Sequence, residues 1–360
     1  MKLSDIVDRI NGNVDRFTTD LEYYIGGEHI DSCELEITRG GNLKENLGKL
    51  GFKFHFAFQD RDVIFMARNP HLRKAGMVMF SGLCSDASYI LRSKDENIIT
   101  QEFLAVQLQS DHFWDYCERT KVGSVNFANN WTSIANYEFD LPSIDKQKKI
   151  AKKVWAAYNL KKSYRKLLSA TQEMVKSRFV EMFSSVPKVD INCMVDTIWG
   201  SSPDSKTYND NGEGVPFYQG KTEFGDIYIN EASTFCTAPI RMAKQHAILM
   251  SVRAPVGAVN IATQDCCIGR GLASITPKVG KSITMFVFYA LKYMEDEIER
   301  LGTGSTFKAI NKDSYAKIQM PDVDIEKQIE FVKIAEQADK SGFELRKSID
   351  VTDRKSLIKG

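Results

Sequence analysis

The sequence is poor in the residues from which catalytic and metal sites are usually built. Its five histidines, at 29, 55, 71, 112 and 246, never fall at metal-ligand spacing with one another. It lacks a glycine-rich phosphate loop of the Walker type, an HExxH and a GxSxG, which sets aside the commonest nucleotide hydrolases, zinc proteases and serine hydrolases. The seven cysteines contain no CxxC pair and no even framework, so no zinc knuckle or disulfide scaffold is expected. Buried reduced thiols are the expectation, adjacent Cys266 and Cys267 included. No apolar run approaches membrane-spanning length, and the opening MKLSDIVDRINGNVDRF is charged throughout, which predicts a soluble, cytoplasmic chain. Two partial motifs read as turns. Asn69-Pro70 lacks the second proline and the aromatic of an amino-group methyltransferase motif, and Pro203-Asp204 with Gln219-Gly220-Lys221 lacks the second acidic ligand of a nuclease site. A non-catalytic protein with no cofactor or metal of its own is the expectation.

A surplus of charge is also missing, because the net charge is only +1. The distribution is uneven, however. Residues 1–142 carry 15 basic and 21 acidic side chains, whereas 143–183 carry 11 and 3. Any attraction to phosphate must therefore come from a few locally focused cations and from that basic stretch.

What the sequence does have is an internal echo. Displaced by 181 positions, Gly123, Ser124, Asn130, Ser133, Ala135, Ile144, Lys146, Gln147 and Lys152 fall on Gly304, Ser305, Asn311, Ser314, Ala316, Ile325, Lys327, Gln328 and Lys333. Average composition would give about two such matches by chance. The nearby prolines, Pro142 and Pro321, are out of step by two places, and VIFMARNP upstream resembles AILMSVRAP. The offset is about half the length of the chain, so the sequence reads as two copies of one module and not as a solenoid of short repeats.

Each module combines short strands with helices. FKFHFAF, DVIFMA and AGMVMF in the first, and HAILMSV, GAVNIAT and GLASITP in the second, are apolar or alternating runs bounded by turn residues. TQEFLAVQLQSDHFWDYCER and SITMFVFYALKYMEDEIERL each have helical periodicity. From Lys146 to Phe183 there is neither glycine nor proline, and Ile150, Val154, Ala157, Tyr164, Leu168, Thr171, Val175 and Met182 keep a narrow 3-4 stripe. The last 36 residues repeat the design, with Ile325, Ile329, Val332, Ala335, Ala338, Leu345 and Ile349 on the stripe and Gly342 within it. Two narrow seams in one chain bury each other most simply as an antiparallel, coiled-coil-like pair. The glycine predicts a bend or close packing.

Together these pieces resemble the DNA specificity subunit of a Type I restriction-modification system. LPSIDKQKKIAKKV matches that family's turn-and-helix entry. VRAPVGAVNIA and WGSSPDSKTYNDNGEGVPFYQG look like its second recognition domain, and GSVNFANNW and GSTFKAINKD look like the glycine-led loops before each helix. The resemblance covers the whole chain. It implies an α+β fold of two pseudo-repeated α/β target recognition domains separated by two long antiparallel helices. The corresponding boundaries are 1–142 and 185–322 for the domains, and 143–184 and 323–360 for the spacer helices. It also implies a chain that does no chemistry, each domain reading one half of a bipartite asymmetric sequence in double-stranded DNA. Two modification subunits would dock on the helices, bind S-adenosylmethionine and methylate adenine, with a restriction motor-nuclease subunit joining when cleavage is the task. A specificity subunit of a Type II-like methyltransferase or nuclease would read the same way, and a coiled-coil scaffold without DNA is the rival of a different class.

Base edges are read by Arg, Lys, Asn, Gln, Ser and Thr on loops. In the first domain the candidates are Arg68, His71, Arg73 and Lys74, the densest basic cluster of an acidic half, with Lys121, Ser124, Asn126 and Asn129 in the glycine loop. In the second they are Gln219, Lys221, Arg253, Ser305, Thr306 and Lys308. Arg68 and Arg253 can equally be salt-bridged scaffold residues.

Overall fold

The computed structural model describes residues 1–302 and 308–356. Two compact units emerge. One comprises residues 1–166 with the end of the chain from Arg346, and the other residues 167–345.

The first unit contains β1 (Val7–Ile10), β2 (Tyr23–Ile25), β3 (Glu36–Ile37), β4 (Gly41–Asn42), β5 (Phe54–Phe58), β6 (Val63–Met66), β7 (Ala75–Val78), β8 (Gly82–Ser85) and β9 (Ser88–Ser93). They form one sheet in the order β1-β9-β6-β7-β3 and a second in the order β4-β2-β8-β5. Pairing is antiparallel except for β2 with β8 and β3 with β7, which is not the parallel βα array of a doubly wound fold. The helices are α1 (Leu3–Ile6), α2 (Leu43–Asn46), α3 (Gln101–Gln107), α4 (Asp111–Thr120), α5 (Trp131–Ala135) and the start of α6 (Ile144–Phe183). The run VIFM is apolar at every position because β6 is covered on both faces. Val63 and Phe65 join the core built with Leu104, Phe113 and Trp114 of the helices. Ile64 and Met66 join Ile25, Phe58 and Cys84 of the other sheet.

The second unit repeats this plan. Its strands are β10 (Lys188–Asp190), β11 (Val195–Trp199), β12 (Tyr208–Asn209), β13 (Val215–Tyr218), β14 (Phe235–Cys236), β15 (Met242–Ala243), β16 (Ile248–Ser251), β17 (Val259–Ile261), β18 (Cys266–Ile268), β19 (Leu272–Pro277) and β20 (Gln319–Pro321). The sheets run β11-β19-β16-β17 and β12-β14-β13-β18-β15, and β10 pairs with β20. Helices α7 (Ile191–Met194), α8 (Thr284–Tyr293), α9 (Glu295–Leu301) and α10 (Lys312–Tyr315) precede α11 (Ile325–Ser356). Strand β16 divides its side chains as β6 does: Ile248 and Met250 enter the helix-side core and Leu249 the core of the other sheet.

Three readings of the sequence change in detail. Each stretch read as one helix before the glycine loop is two. Ser110 stops the first by capping α4, its side chain accepting from Phe113 N–H at 3.2 Å, and Met294 separates α8 from α9 with an acidic first turn on α9, which suits a helix N-terminus. Helix α11 passes without a break through Gly342, which is buried. The stripe on α11 is also displaced. Ile329 is 39% exposed while Phe331 is fully buried, with Val332, Ala335 and Ala338 beside it. In the second unit the last turns of α6 meet the first turns of α11, as an antiparallel pair requires: Phe179 and Phe183 lie 5.3 and 5.5 Å from the Phe331 ring. In the first unit Ile150, Ala151 and Trp155 pack on the domain core, and Lys162 and Arg165 pair with Glu36 and Glu34 at 2.8 and 2.6 Å.

Candidate nucleic-acid interface

The internal repeat is explained by three structural devices. The first is a helix cap. Asn130 and Asn311 each accept a hydrogen bond from the backbone N–H three residues on, Ser133 and Ser314, both at 2.8 Å, satisfying a donor that the first turn leaves open. The second is a buried amide. Gln147 and Gln328 are both 0% exposed. The Gln147 side chain accepts from Thr100 N–H at 3.1 Å and donates to the carbonyls of Ile98 and Pro142 at 2.8 and 2.9 Å. Gln328 accepts from Ile283 N–H and Ser282 Oγ, both at 3.1 Å, and donates to Lys281 and Val323 carbonyls at 2.9 and 3.0 Å. Each long helix is thus fastened at its first turn to the domain that precedes it. The acceptor in the turn is a backbone carbonyl, so the proline was free to slip by two places.

The third device presents an arginine. Two residues beyond β6, Arg68 forms a backbone bridge with Ala128, and two residues beyond β16, Arg253 forms one with Ala309. Asn129 N–H donates to Ala67 O at 2.9 Å, and Ile310 N–H donates to Val252 O at 3.0 Å. In both domains a core strand therefore runs out to a backbone bridge and ends on an exposed guanidinium, Arg68 in the first and Arg253 in the second. Neither arginine has a side-chain hydrogen bond or ion pair among the described residues. Gly123 shapes the first loop, since its φ is 108° and a Cβ there would lie 2.6 Å from Asn126 O.

The remaining candidates divide by their partners. His71, Ser124 and Asn126 are exposed on the two segments that the Arg68–Ala128 bridge joins. Arg73 pairs with Asp111 at 2.6 Å, and Lys74 donates to Gly27 O at 2.6 Å, so both brace the turn after Arg68. Asn129 is 1% exposed, its side-chain amide donating to Cys117 O at 2.8 Å and Thr120 Oγ1 at 3.2 Å, and its backbone carbonyl accepting from the Tyr89 hydroxyl at 2.9 Å. It anchors the loop to α4 from below. Burial holds the Tyr89 phenol above its ordinary pKa, which keeps it a donor. Lys121 pairs with Glu118 at 2.6 Å and lies 4.5 Å from the Phe127 ring, and Lys308 pairs with Glu299 at 3.3 Å. Gln219 and Lys221 are exposed after β13, where Gly271 is required because a Cβ would collide with Gln219 O. Ser305 and Thr306 lie outside the described residues.

The sequence reading missed Phe52. It is 81% exposed and shares a surface concavity with Lys53, Asp86 and Arg68, and an isolated phenylalanine in a loop gives no periodic signal. The turn readings of the two partial motifs agree with the structure: Asn69 is left-handed at φ 54° before a buried Pro70, and Asp204 caps a single turn by accepting from Lys206 N–H at 3.0 Å. Among the described residues no cluster of three or more His, Cys, Asp or Glu could hold a metal ion, and no helix is long and apolar enough to cross a membrane.

Comparison with known proteins matches this geometry to a family. The family model of the Type I restriction modification DNA specificity domain matches residues 1–167 and 192–351. The MjaX specificity subunit, assigned to a type I restriction enzyme of Methanocaldococcus jannaschii, is 30% identical over 329 residues, covering 84% of this chain and 76% of that one. A chain solved in work on complex assembly and conformational transition of the type I R-M system is 25% identical, with a TM-score of 0.63 over 99% of this chain and 95% of that one. The S subunit of a Type-I restriction-modification system from M. genitalium shares the fold at 14% identity, with a TM-score of 0.61 over 99% and 93% of the two chains.

Proposed function

The chain belongs to the family of Type I restriction-modification DNA specificity subunits, and from that premise we propose that it reads a bipartite, asymmetric target in double-stranded DNA. Residues 1–142 read one half and residues 185–322 the other, while 143–184 and 323–360 form the spacer on which two modification subunits dock. Those subunits bind S-adenosylmethionine and methylate adenine, and a motor-nuclease subunit joins for restriction. This chain contributes recognition and no bond-making step. The observation that carries the reading is the repeated bridge that leaves Arg68 and Arg253 exposed and, among the described residues, unpaired at the ends of equivalent strands. A guanidinium so placed suits bidentate contact with a guanine edge. His71, Ser124, Asn126, Gln219 and Lys221 flank it as further polar contacts, Lys121 and Lys308 face phosphate, and Arg73, Lys74 and Asn129 brace the loops.

The test is to assemble the chain with its modification subunits and map methylated adenines in a random-sequence DNA pool. A two-part consensus with an unspecified gap is expected, and the chain alone should transfer no methyl group. Methylation without sequence preference, or methyl transfer by the chain in the verified absence of partner, would overturn the proposal.

A further inference from the structure

Glu118 in α4 and Glu299 in α9 stand 181 positions apart, the offset of the internal repeat. Each holds a lysine at the edge of the glycine-led loop, Lys121 at 2.6 Å and Lys308 at 3.3 Å. The two lysines are not equivalent in the repeat. Lys121 corresponds to Gly302, and Lys308 corresponds to Phe127, the ring beside which Lys121 sits. The second module has therefore moved the cation to the other side of the loop while keeping the pair with the same carboxylate. Both pairs adjoin the strand-end arginine: Ala128 bridges both Val122 and Arg68, and Lys308 precedes Ala309, the bridge partner of Arg253. All four side chains are partly exposed, from 27% to 48%, a setting in which an ion pair is weak and solvent-screened, so a competing phosphate can displace the carboxylate.

We infer that Glu118 and Glu299 are positioning residues that act as phosphate latches. Each withholds its loop lysine from DNA in loose, sequence-independent encounters, and yields it to a backbone phosphate when the adjacent arginine docks on its base. The inference rests on the DNA-reading role assigned to the Arg68 and Arg253 surface. Its physical basis is the lysine ammonium, a compact charge on a flexible stem that can exchange one anionic partner for another without moving the backbone. The lysine is thereby counted among the phosphate contacts of the cognate complex and not of the non-cognate one, which widens the difference between them.

Salt dependence tests this directly, because each lysine that neutralises a phosphate adds about 0.9 to the slope of log K against log salt. The full chain, assembled with its modification subunits, is titrated with a duplex carrying a mapped methylation site and with an equal-length duplex lacking it. Glu118→Gln should steepen the non-cognate slope by about 0.9 and leave the cognate slope unchanged, with non-cognate affinity rising by about two- to fivefold, the range of an exposed pair. Glu118→Gln with Lys121→Met should return the non-cognate slope to that of the parent, and Glu299→Gln should repeat the result through Lys308. An equal change on both duplexes would mean simple repulsion and overturn the latch, as would no change on either. The underlying surface is tested separately by Arg68→Ala: undiminished cognate binding in that variant would remove the DNA-reading assignment, whereas weakened cognate binding beside an inert Glu118→Gln would remove the latch alone.

Discussion

Whether a polar side chain in these domains is left open or braces a loop depends on the partner it has found. Arg68 and Arg73 lie five residues apart in one turn, yet only Arg73 is held by a carboxylate, Asp111 at 2.6 Å. Partners also settle the chemistry of the cysteines. Cys266 and Cys267 are adjacent in β18, and successive strand residues point to opposite faces, so Cys266 enters one core and Cys267 another. Burial pushes the Cys84 and Cys266 thiols up to about 12 and raises those of Cys117 and Cys267. Since the thiolate is the nucleophile, these sulfurs are inert in the folded state. Cys33 and Cys193 depart from the expectation of uniformly buried thiols, because both are exposed. Alkylation at neutral pH followed by peptide mass spectrometry should therefore label Cys33 and Cys193 rapidly and the other five only after unfolding. Labelling of Cys84 at the rate of Cys33 would contradict the packing of the two sheets in the first unit.

Among the elements, the long helices depend on their first turns. Replacing Gln328 by alanine leaves Ile283 N–H and the carbonyls of Lys281 and Val323 without their buried partner. A buried polar group left unsatisfied costs about 1–3 kcal/mol, so Gln328→Ala should lower the unfolding free energy by about that much, and Gln147→Ala should do the same through Thr100, Ile98 and Pro142. Denaturant titration measures both. A loss below about 0.5 kcal/mol, the scale of an ordinary surface substitution, would show that water replaces the amide freely. These glutamines also mark where sequence reading stopped. Asn130, Ser133 and Gly123 stood out as repeated positions in the sequence, and the cap and turn they make are local, fixed by residues three places apart. The strands were legible because burial on both faces leaves a continuous apolar run. Gln147 looked like one more polar residue on a basic helix, because two of its three partners, Thr100 and Ile98, lie more than 40 residues earlier. Phe331 was missed for a related reason: a narrow 3-4 stripe through Ile329 is as good a pattern as the observed one, and only the aromatic cluster of Phe179, Phe183 and Phe286 selects between them. At the interface, the clustering of Arg68, His71, Arg73 and Lys74 was visible in the sequence, but their division into exposed and braced residues was not, since the deciding carboxylate and carbonyl lie on other elements.

For the molecule as a whole, a net charge of +1 means that DNA affinity cannot come from bulk attraction and must be assembled from a few contacts in each domain. The two domains have separate cores, one built on β6 with α3 and α4, the other on β16 with α8. The bridges that fix Arg68 and Arg253 are likewise internal to each, to Ala128 and to Ala309. Because each arginine is fixed by a bridge within its own domain, each should govern its own half of the target. Arg68→Ala should relax one position of one half-site and Arg253→Ala one position of the other, each at a cost of about 1–3 kcal/mol if the lost contact was bidentate to a base. A contact made to phosphate instead would weaken binding evenly across sequences and reduce the salt slope by about 1. Methylation-site mapping for the parent and both variants, read as position-specific preferences, separates these outcomes. Relaxed discrimination in both half-sites from either single substitution would show that the domains do not read independently.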